Sequence, residues 1–226
     1  MKLSVIIPAY NEKEYILQLI EKVLAVKIDK EVIIVDDMSK DGTREILQKI
    51  KYDNVRVFFH TENKGKAGAI RTGAEHATGD IVIIQDADLE YDPEDYPILI
   101  KPIIEEKCDV VYGNRFSKEN VGKLTLIQFL GNMVMTLSTS LIIGKRINDM
   151  ETCYKTVRAD YFKRINITSK GFGIDPEITI KLLKMKARLM EVPIRYYPRD
   201  YNHGKKIKPK DAIRTFYTII KMGMID

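Results

Sequence analysis

The sequence predicts an α/β fold, a mostly parallel central sheet with helices on both faces. Two patterns point there. Short, continuously apolar, β-branched runs recur through the first half of the 226-residue chain, and amphipathic stretches of helical spacing separate them. Composition agrees, with 45% hydrophobic and 31% charged residues, ordinary usage for a folded domain with a sizeable core.

Taken in order, Met1-Lys2 leads at once into the apolar run Leu3–Ile7, which Pro8 ends. That is the length of a buried strand and too short for a signal-peptide core. Lys13–Val26 then has helical spacing. Strand-like runs follow at Glu31–Val35, Val55–Phe59, Ile81–Ile84 and Val110–Tyr112, with helices expected at Thr43–Ile50, Lys66–Ala77 and Pro93–Glu106. Lys123–Ile143 is strongly apolar but interrupted by Gln128 and Asn132 and bracketed by Lys123 and Lys145-Arg146. At about 20 residues it approaches a spanning length. Its polar interruptions favour a helix lying in a membrane interface, with a buried core helix as the other reading. Ala212–Ile225 is a second amphipathic helix.

The net charge of +5 is unevenly placed, because Lys186–Asp226 carries ten bases against four acids. This end is either solvated surface or a region attracted to anionic lipid or a phosphorylated acceptor. Bases do not interleave with aromatics as a single-strand groove requires, so nucleic acid is not expected as a partner. Cys108 and Cys153 are too few for a disulfide framework or a four-thiolate zinc site, and His60, His76 and His203 are scattered.

In a parallel α/β sheet, ligands bind beyond the carboxyl ends of the strands. The residues there are polar: Pro8-Ala9-Tyr10-Asn11-Glu12, Asp36 to Gly42, His60 to Lys66, and Gln85 to Glu90. Asp41, just before Thr43–Ile50, reads as a helix cap. The other ends together fit a nucleotide crevice. Asp86-Ala87-Asp88 places two carboxylates close enough to share a divalent cation, and hard oxygen ligands without histidine suit Mg²⁺ or Mn²⁺ bridging to a diphosphate. Lys64-Gly65-Lys66-Ala67-Gly68-Ala69 opens a helix whose N-terminus favours phosphate, although neither the dinucleotide fingerprint nor the Walker spacing is present. Asp36-Asp37 after a strand also suits a phosphoacceptor receiver, but such a domain is about half this length and leaves Asp86 and Asp88 unexplained.

With these motifs in order, the chain resembles the family 2 glycosyltransferases of GT-A fold. Ser4–Glu12, Val35–Thr43, Asn63–Ala69 and Asp86–Leu89 carry the likeness, which runs from Leu3 to about Arg115 and continues more loosely to Ile207. It is most similar to the branch of dolichyl- and polyprenyl-phosphate hexosyltransferases. The resemblance implies one glycosyltransferase domain over residues 1–226, with a nucleotide-sugar half over 1–115 and an acceptor half over 116–226 that includes interfacial helices near 123–143 and 210–225. It implies that Pro8, Ala9, Tyr10 and Glu12, with Asp36 and Asp37, hold base and ribose, and that Lys64, Gly65 and Ala87 border the nucleotide. Asp86, Asp88 and Glu90 would hold the cation and diphosphate, and Asp88 and Arg115 would serve catalysis. Arg115, Arg199, Lys205 and Lys206 would meet the acceptor phosphate. Asn148–Lys155 departs from the usual family motif at Glu151, Cys153 and Lys155, and the serine expected near His203-Gly204-Lys205-Lys206 is replaced.

The implied reaction moves mannose or glucose from GDP-mannose or UDP-glucose to a polyprenyl or dolichyl phosphate, at the cytoplasmic face of a membrane to which the enzyme attaches peripherally. A phosphate monoester is already largely dianionic at neutral pH, with a second pKa of about 6, so it needs positioning cations rather than a base. A single in-line displacement with inversion follows. If the acceptor is an alcohol, a base is needed, and Asp149-Met150-Glu151 is the place to look. A nucleotide-sugar-forming nucleotidyltransferase would want a glycine-rich basic loop after the first strand. A silent nucleotide-binding scaffold would not need Asp86, Asp88 and Arg115 together. The absence of tryptophan excludes the Gln-x-x-Arg-Trp motif of processive synthases.

Overall fold

The computed structural model of the protein describes residues 1–116, 120, 126–169, 173–199 and 209–224. Among these residues the sheet has seven strands in the order β3-β2-β1-β4-β6-β5-β7. They are β1 (Leu3–Ala9), β2 (Lys30–Asp36), β3 (Val55–Phe59), β4 (Ile81–Ile84), β5 (Val110–Asn114), β6 (Lys155–Arg158) and β7 (Leu189–Pro193). Pairings β1–β2, β2–β3, β1–β4 and β5–β7 are parallel, and β6 alone runs antiparallel, between β4 and β5. β1 and β2 are buried along almost their whole length, as continuous apolar runs covered on both faces must be.

The helices are α1 (Ile16–Ala25), α2 (Thr43–Leu47), α3 (Gly65–His76), α4 (Tyr96–Ile104), α5 (Leu126–Ile143), α6 (Ala159–Arg164), α7 (Ile174–Lys184) and α8 (Pro209–Met224). The helix expected at Pro93–Glu106 is divided: a 3₁₀ turn, Pro93–Asp95, precedes α4. The Asp92 side chain accepts from the Glu94 N–H and begins the chain's turn there. α3 packs directly on β1, and the Gly73 site shows how closely: a Cβ added there would lie 2.4 Å from Ile6 Cγ2.

A second, smaller core of Ile147, Met150 and Ile219 joins α5, α7 and α8 to the loop before β6. Thr215, Ile219 and Met222 turn one face of α8 inward. α5 turns Thr136 and Thr139 inward and leaves Leu130, Met133, Val134, Leu137 and Leu141 exposed, a stripe at helical spacing. α5 and α8 meet tightly where Ile142 packs on Gly223. No helix among the described residues is long and apolar enough to cross a membrane.

Candidate active site

Because β1 to β4 are parallel, their carboxyl ends share one edge of the sheet, and β1 is the strand from which the order departs in both directions. A crevice opens at such a switch point. At the end of β1, Pro8 is half-buried, Ala9 is buried and Tyr10 lies exposed at the rim. Asn11 takes a left-handed φ of 52°, which asparagine tolerates, and its Oδ1 accepts from the Lys40 N–H. Glu12 is buried, and its N–H donates to Thr43 Oγ1. Asp41 accepts from the Thr43 and Lys13 N–H groups, the capping role its position indicated.

Asp36 and Asp37 divide the work at the end of β2. Asp37 is spent internally: it accepts from the N–H groups of Lys64 at 2.8 Å and Gly65 at 2.7 Å and contacts His60 Nδ1 at 2.7 Å. It fixes the start of α3, where Gly65 has φ 73°, a conformation suited to glycine. Asp36 is fully buried and binds Arg44 Nε through Oδ2 at 2.7 Å, while its Oδ1 has no hydrogen-bond partner. Among the described residues it is the carboxylate oxygen of this pair without a hydrogen-bond partner.

At the end of β4, the Gln85 side chain is held from below by the hydroxyls of Tyr96 and Tyr154, both donating to its Oε1 at 2.7 Å. This anchors the strand end that carries Asp86, buried Ala87 and Asp88. Lys66 Nζ, on the first turn of α3, lies 2.7 Å from Asp86 Oδ1. Burial raises the Asp86 carboxyl, but Lys66 outweighs this and holds it below its ordinary range. Asp88 behaves oppositely, pushed up to about 7 by burial and by the negative charge of Asp86 and Glu90.

Arg199 lies among these acids. Its guanidinium is 2.6 Å from Asp88, 3.1 Å from Glu12 and 3.8 Å from Glu90, and it stacks over the Tyr15 ring at 5.2 Å. Its backbone N–H also donates to Glu90 at 2.8 Å, and the Tyr91–Tyr196 bridge ties the same two segments together. The structure therefore seats Arg199 on the acids of the β1 and β4 ends, with Tyr196 between it and Arg115: the Tyr196 hydroxyl donates to Glu90 and its ring faces the Arg115 guanidinium at 5.3 Å. Lys205 and Lys206 lie outside the described residues.

Arg115, just past β5, is fixed by Asp149 and reaches Asn132 of α5 at 3.3 Å. Asp149 is thus committed as an acceptor, but Glu151 is not. Among the described residues its Oε1 is buried without a hydrogen-bond partner, and burial together with the charge of Asp175 pushes its carboxyl up to about 7. Asp175 itself pairs at 2.6 Å with Lys155, which is fully buried. Lys66, Tyr196, Tyr15 and Asn132 were not identified as site residues from sequence. Lys66 had a local signal, the second lysine of Lys-Gly-Lys, whereas Tyr196 arrives from 106 residues beyond Glu90 with no local pattern to mark it.

The model of "Glycosyl transferase family 2" matches residues 4–165. The chain is 31% identical over 241 residues to the dolichol-phosphate mannosyltransferase of Pyrococcus furiosus, covering 100% of this chain and 66% of that one, so it spans just under two thirds of that relative's length. It is 28% identical over 242 residues to the UDP-N-acetylglucosamine–dolichyl-phosphate N-acetylglucosaminyltransferase of Methanococcus voltae, covering 97% and 96% of the two chains. Among solved structures, the glucosyl-3-phosphoglycerate synthase of Mycobacterium tuberculosis, crystallised with Mn²⁺, UDP and phosphoglyceric acid, superposes with a TM-score of 0.74. The two share 18% identity, and the match covers 100% of this chain and 79% of that one. This likeness identifies the GT-A fold. With the family model covering most of the chain, the conclusion is plain: this chain belongs to glycosyl transferase family 2.

Proposed function

We propose that this chain transfers a hexose, mannose or glucose, from a nucleotide sugar to a polyprenyl or dolichyl phosphate, with inversion at the anomeric carbon. The observation that carries the reading is the gathering of the strand-end acids beside a positioned arginine at the sheet edge. Acids from β1 and β4 gather on one side of Tyr196, and Arg115, aimed by Asp149, stands on the other. The two similar dolichyl-phosphate enzymes agree with it.

In this reading Asp36 meets the base through its orphaned Oδ1, and the α3 N-terminus faces the diphosphate. Asp86 and Asp88, with Glu90, hold one Mg²⁺ or Mn²⁺. Carboxylate oxygens are the donors such an ion takes, but as they lie, with Lys66 on Asp86 and Arg199 on Asp88, no three acids among the described residues are gathered to hold one, so the nucleotide's phosphates would have to complete the set. When bound, the ion stabilises charge on the leaving diphosphate. Arg115 places the acceptor phosphate, one of whose oxygens attacks the anomeric carbon as the bond to the diphosphate breaks. Because the phosphate is already ionised, no side chain need take a proton.

The exposed α5 stripe and the neighbouring exposed Phe216, Tyr217 and Ile220 of α8 form an apolar surface that suits peripheral attachment to the cytoplasmic face of a membrane, where the acceptor's tail resides. A second reading, transfer to a hydroxyl, is favoured by Glu151, whose carboxyl near 7 matches a general base. One assay separates the two. GDP-mannose, UDP-glucose and UDP-N-acetylglucosamine are each offered with polyprenyl phosphate or the free polyprenol, in Mn²⁺ or EDTA. We expect an inverted lipid-phosphate sugar in Mn²⁺ only. Transfer to the alcohol but not the phosphate, a retained configuration, or full activity in EDTA would each overturn its part of the proposal.

A further inference from the structure

Arg199 stands among three acids at the edge of the sheet. Glu12 comes from the end of β1, Asp88 and Glu90 from beyond β4, and one guanidinium carries ion pairs to all three. Its position is well supported. The backbone N–H of Arg199 donates to Glu90, the Tyr197 N–H donates to the Glu90 carbonyl, and the Tyr15 ring lies beneath the guanidinium. The side chain is thus held in the acid cluster by a built set of contacts, and Asp88 Oδ2 spends itself on Arg199 at 2.6 Å.

Arg199 brings one delocalised positive charge to these oxygens, whereas a divalent ion would bring two. Arginine and metal cannot both take Asp88 Oδ2 at short range without mutual repulsion. A guanidinium, however, has an alternative partner of matching geometry in a diphosphate, which it binds through paired N–H groups.

We propose that Arg199 is an internal counter-cation of the acid cluster, occupying Asp88 until a nucleoside diphosphate draws the guanidinium away and opens Asp88 to the metal. Metal alone then binds weakly, and the arginine sets that weakness. This rests on the reading of Asp86, Asp88 and Glu90 as metal-holding residues, and it adds a prediction which that reading does not make: removing a positive side chain improves binding of a metal in the absence of any substrate.

The test is Mn²⁺ binding to the full chain, followed by electron paramagnetic resonance and titration calorimetry, with and without UDP or GDP. Arg199→Gln should bind Mn²⁺ alone at least tenfold more tightly than the wild type, and Arg199→Lys, which keeps the charge but cannot span three carboxylates, should fall between them. Mn²⁺ affinity of Arg199→Gln equal to or weaker than wild type overturns the proposal while leaving the metal site standing. If Arg199→Gln does not fold, Arg199→Lys decides, with unchanged affinity again the overturning result. Failure of the wild type to take Mn²⁺ even with nucleotide removes the metal reading and this proposal together.

Discussion

The Asp149 carboxylate accepts three N–H bonds from Arg115, from the backbone at 3.0 Å, from Nε at 2.8 Å and from Nη2 at 2.7 Å. One acid therefore fixes both the chain direction after β5 and the heading of the guanidinium. The Asp149 side chain is fully buried and that of Arg115 only 12% exposed, so neither charge is met by bulk water.

Breaking this pair from one side should be costly. Asp149→Ala strands a buried guanidinium, for which about 3–5 kcal/mol of stability is the expected loss. Arg115→Lys keeps the charge but loses the fork, and should raise the KM for polyprenyl phosphate while nucleotide binding stays within twofold of wild type. Urea titration and acceptor kinetics measure the two effects. Unchanged acceptor KM in Arg115→Lys would refute the acceptor role.

The α3–β1 contact gives a packing prediction independent of catalysis. Gly73→Ala places a methyl 2.4 Å from Ile6 Cγ2 and should destabilise by roughly 1–3 kcal/mol. In an Ile6→Ala background the same change should cost clearly less, since the clashing atom is gone. Additive costs in the double-mutant cycle would show that the two residues do not press on each other.

Glu31 supplies a pH dependence. Burial alone would raise its carboxyl, but hydrogen bonds from Ser4 and Thr78 outweigh this and lower it to about 2. A folded pKa below the unfolded value of about 4.3 stabilises the protein above that pH, and the contribution fades as pH falls toward 2. Over that interval Glu31 accounts for roughly 2–3 kcal/mol. Urea midpoints recorded from pH 6 to pH 2 should fall less steeply for Glu31→Gln than for wild type; parallel curves would contradict the assignment. Glu177, also lowered to about 2 despite burial by Lys181 and Ser169, adds to the same acid limb.

The apolar face of α5 is tested by flotation. Leu137 and Leu141 are 56% and 74% exposed, so glutamates there should leave stability nearly untouched. The wild type should float with vesicles containing anionic lipid, and Leu137→Glu/Leu141→Glu should remain below. Equal behaviour of the two proteins would remove this face as the contact.

Glu151 gives a kinetic prediction. If a hydroxyl is the acceptor, the rate should rise with pH through about 7 and fall at least a hundredfold in Glu151→Gln. With a phosphate acceptor, the same substitution should leave the pH profile unchanged between 6 and 8. A pH profile followed with each acceptor separates these outcomes.

The first five strands, the helices between them and the acidic strand ends could all be read from the sequence, because each depends on periodicity or residue type within about ten positions. α5 and α8 were legible for the same reason. β6 and β7 were not: Lys155-Thr156-Val157-Arg158 has the look of surface sequence, and only its place between β4 and β5 buries it. The division of labour between Asp36 and Asp37, the pairing of Lys66 with Asp86 and the seat of Arg199 on Asp88 were likewise decided by tertiary structure alone. Sequence supplies the charges and the order in which strands deliver them to one edge. Which acid is neutralised, and by which cation, depends on distances of a few ångströms in a buried crevice, and those exist only once segments as much as 187 residues apart have packed together.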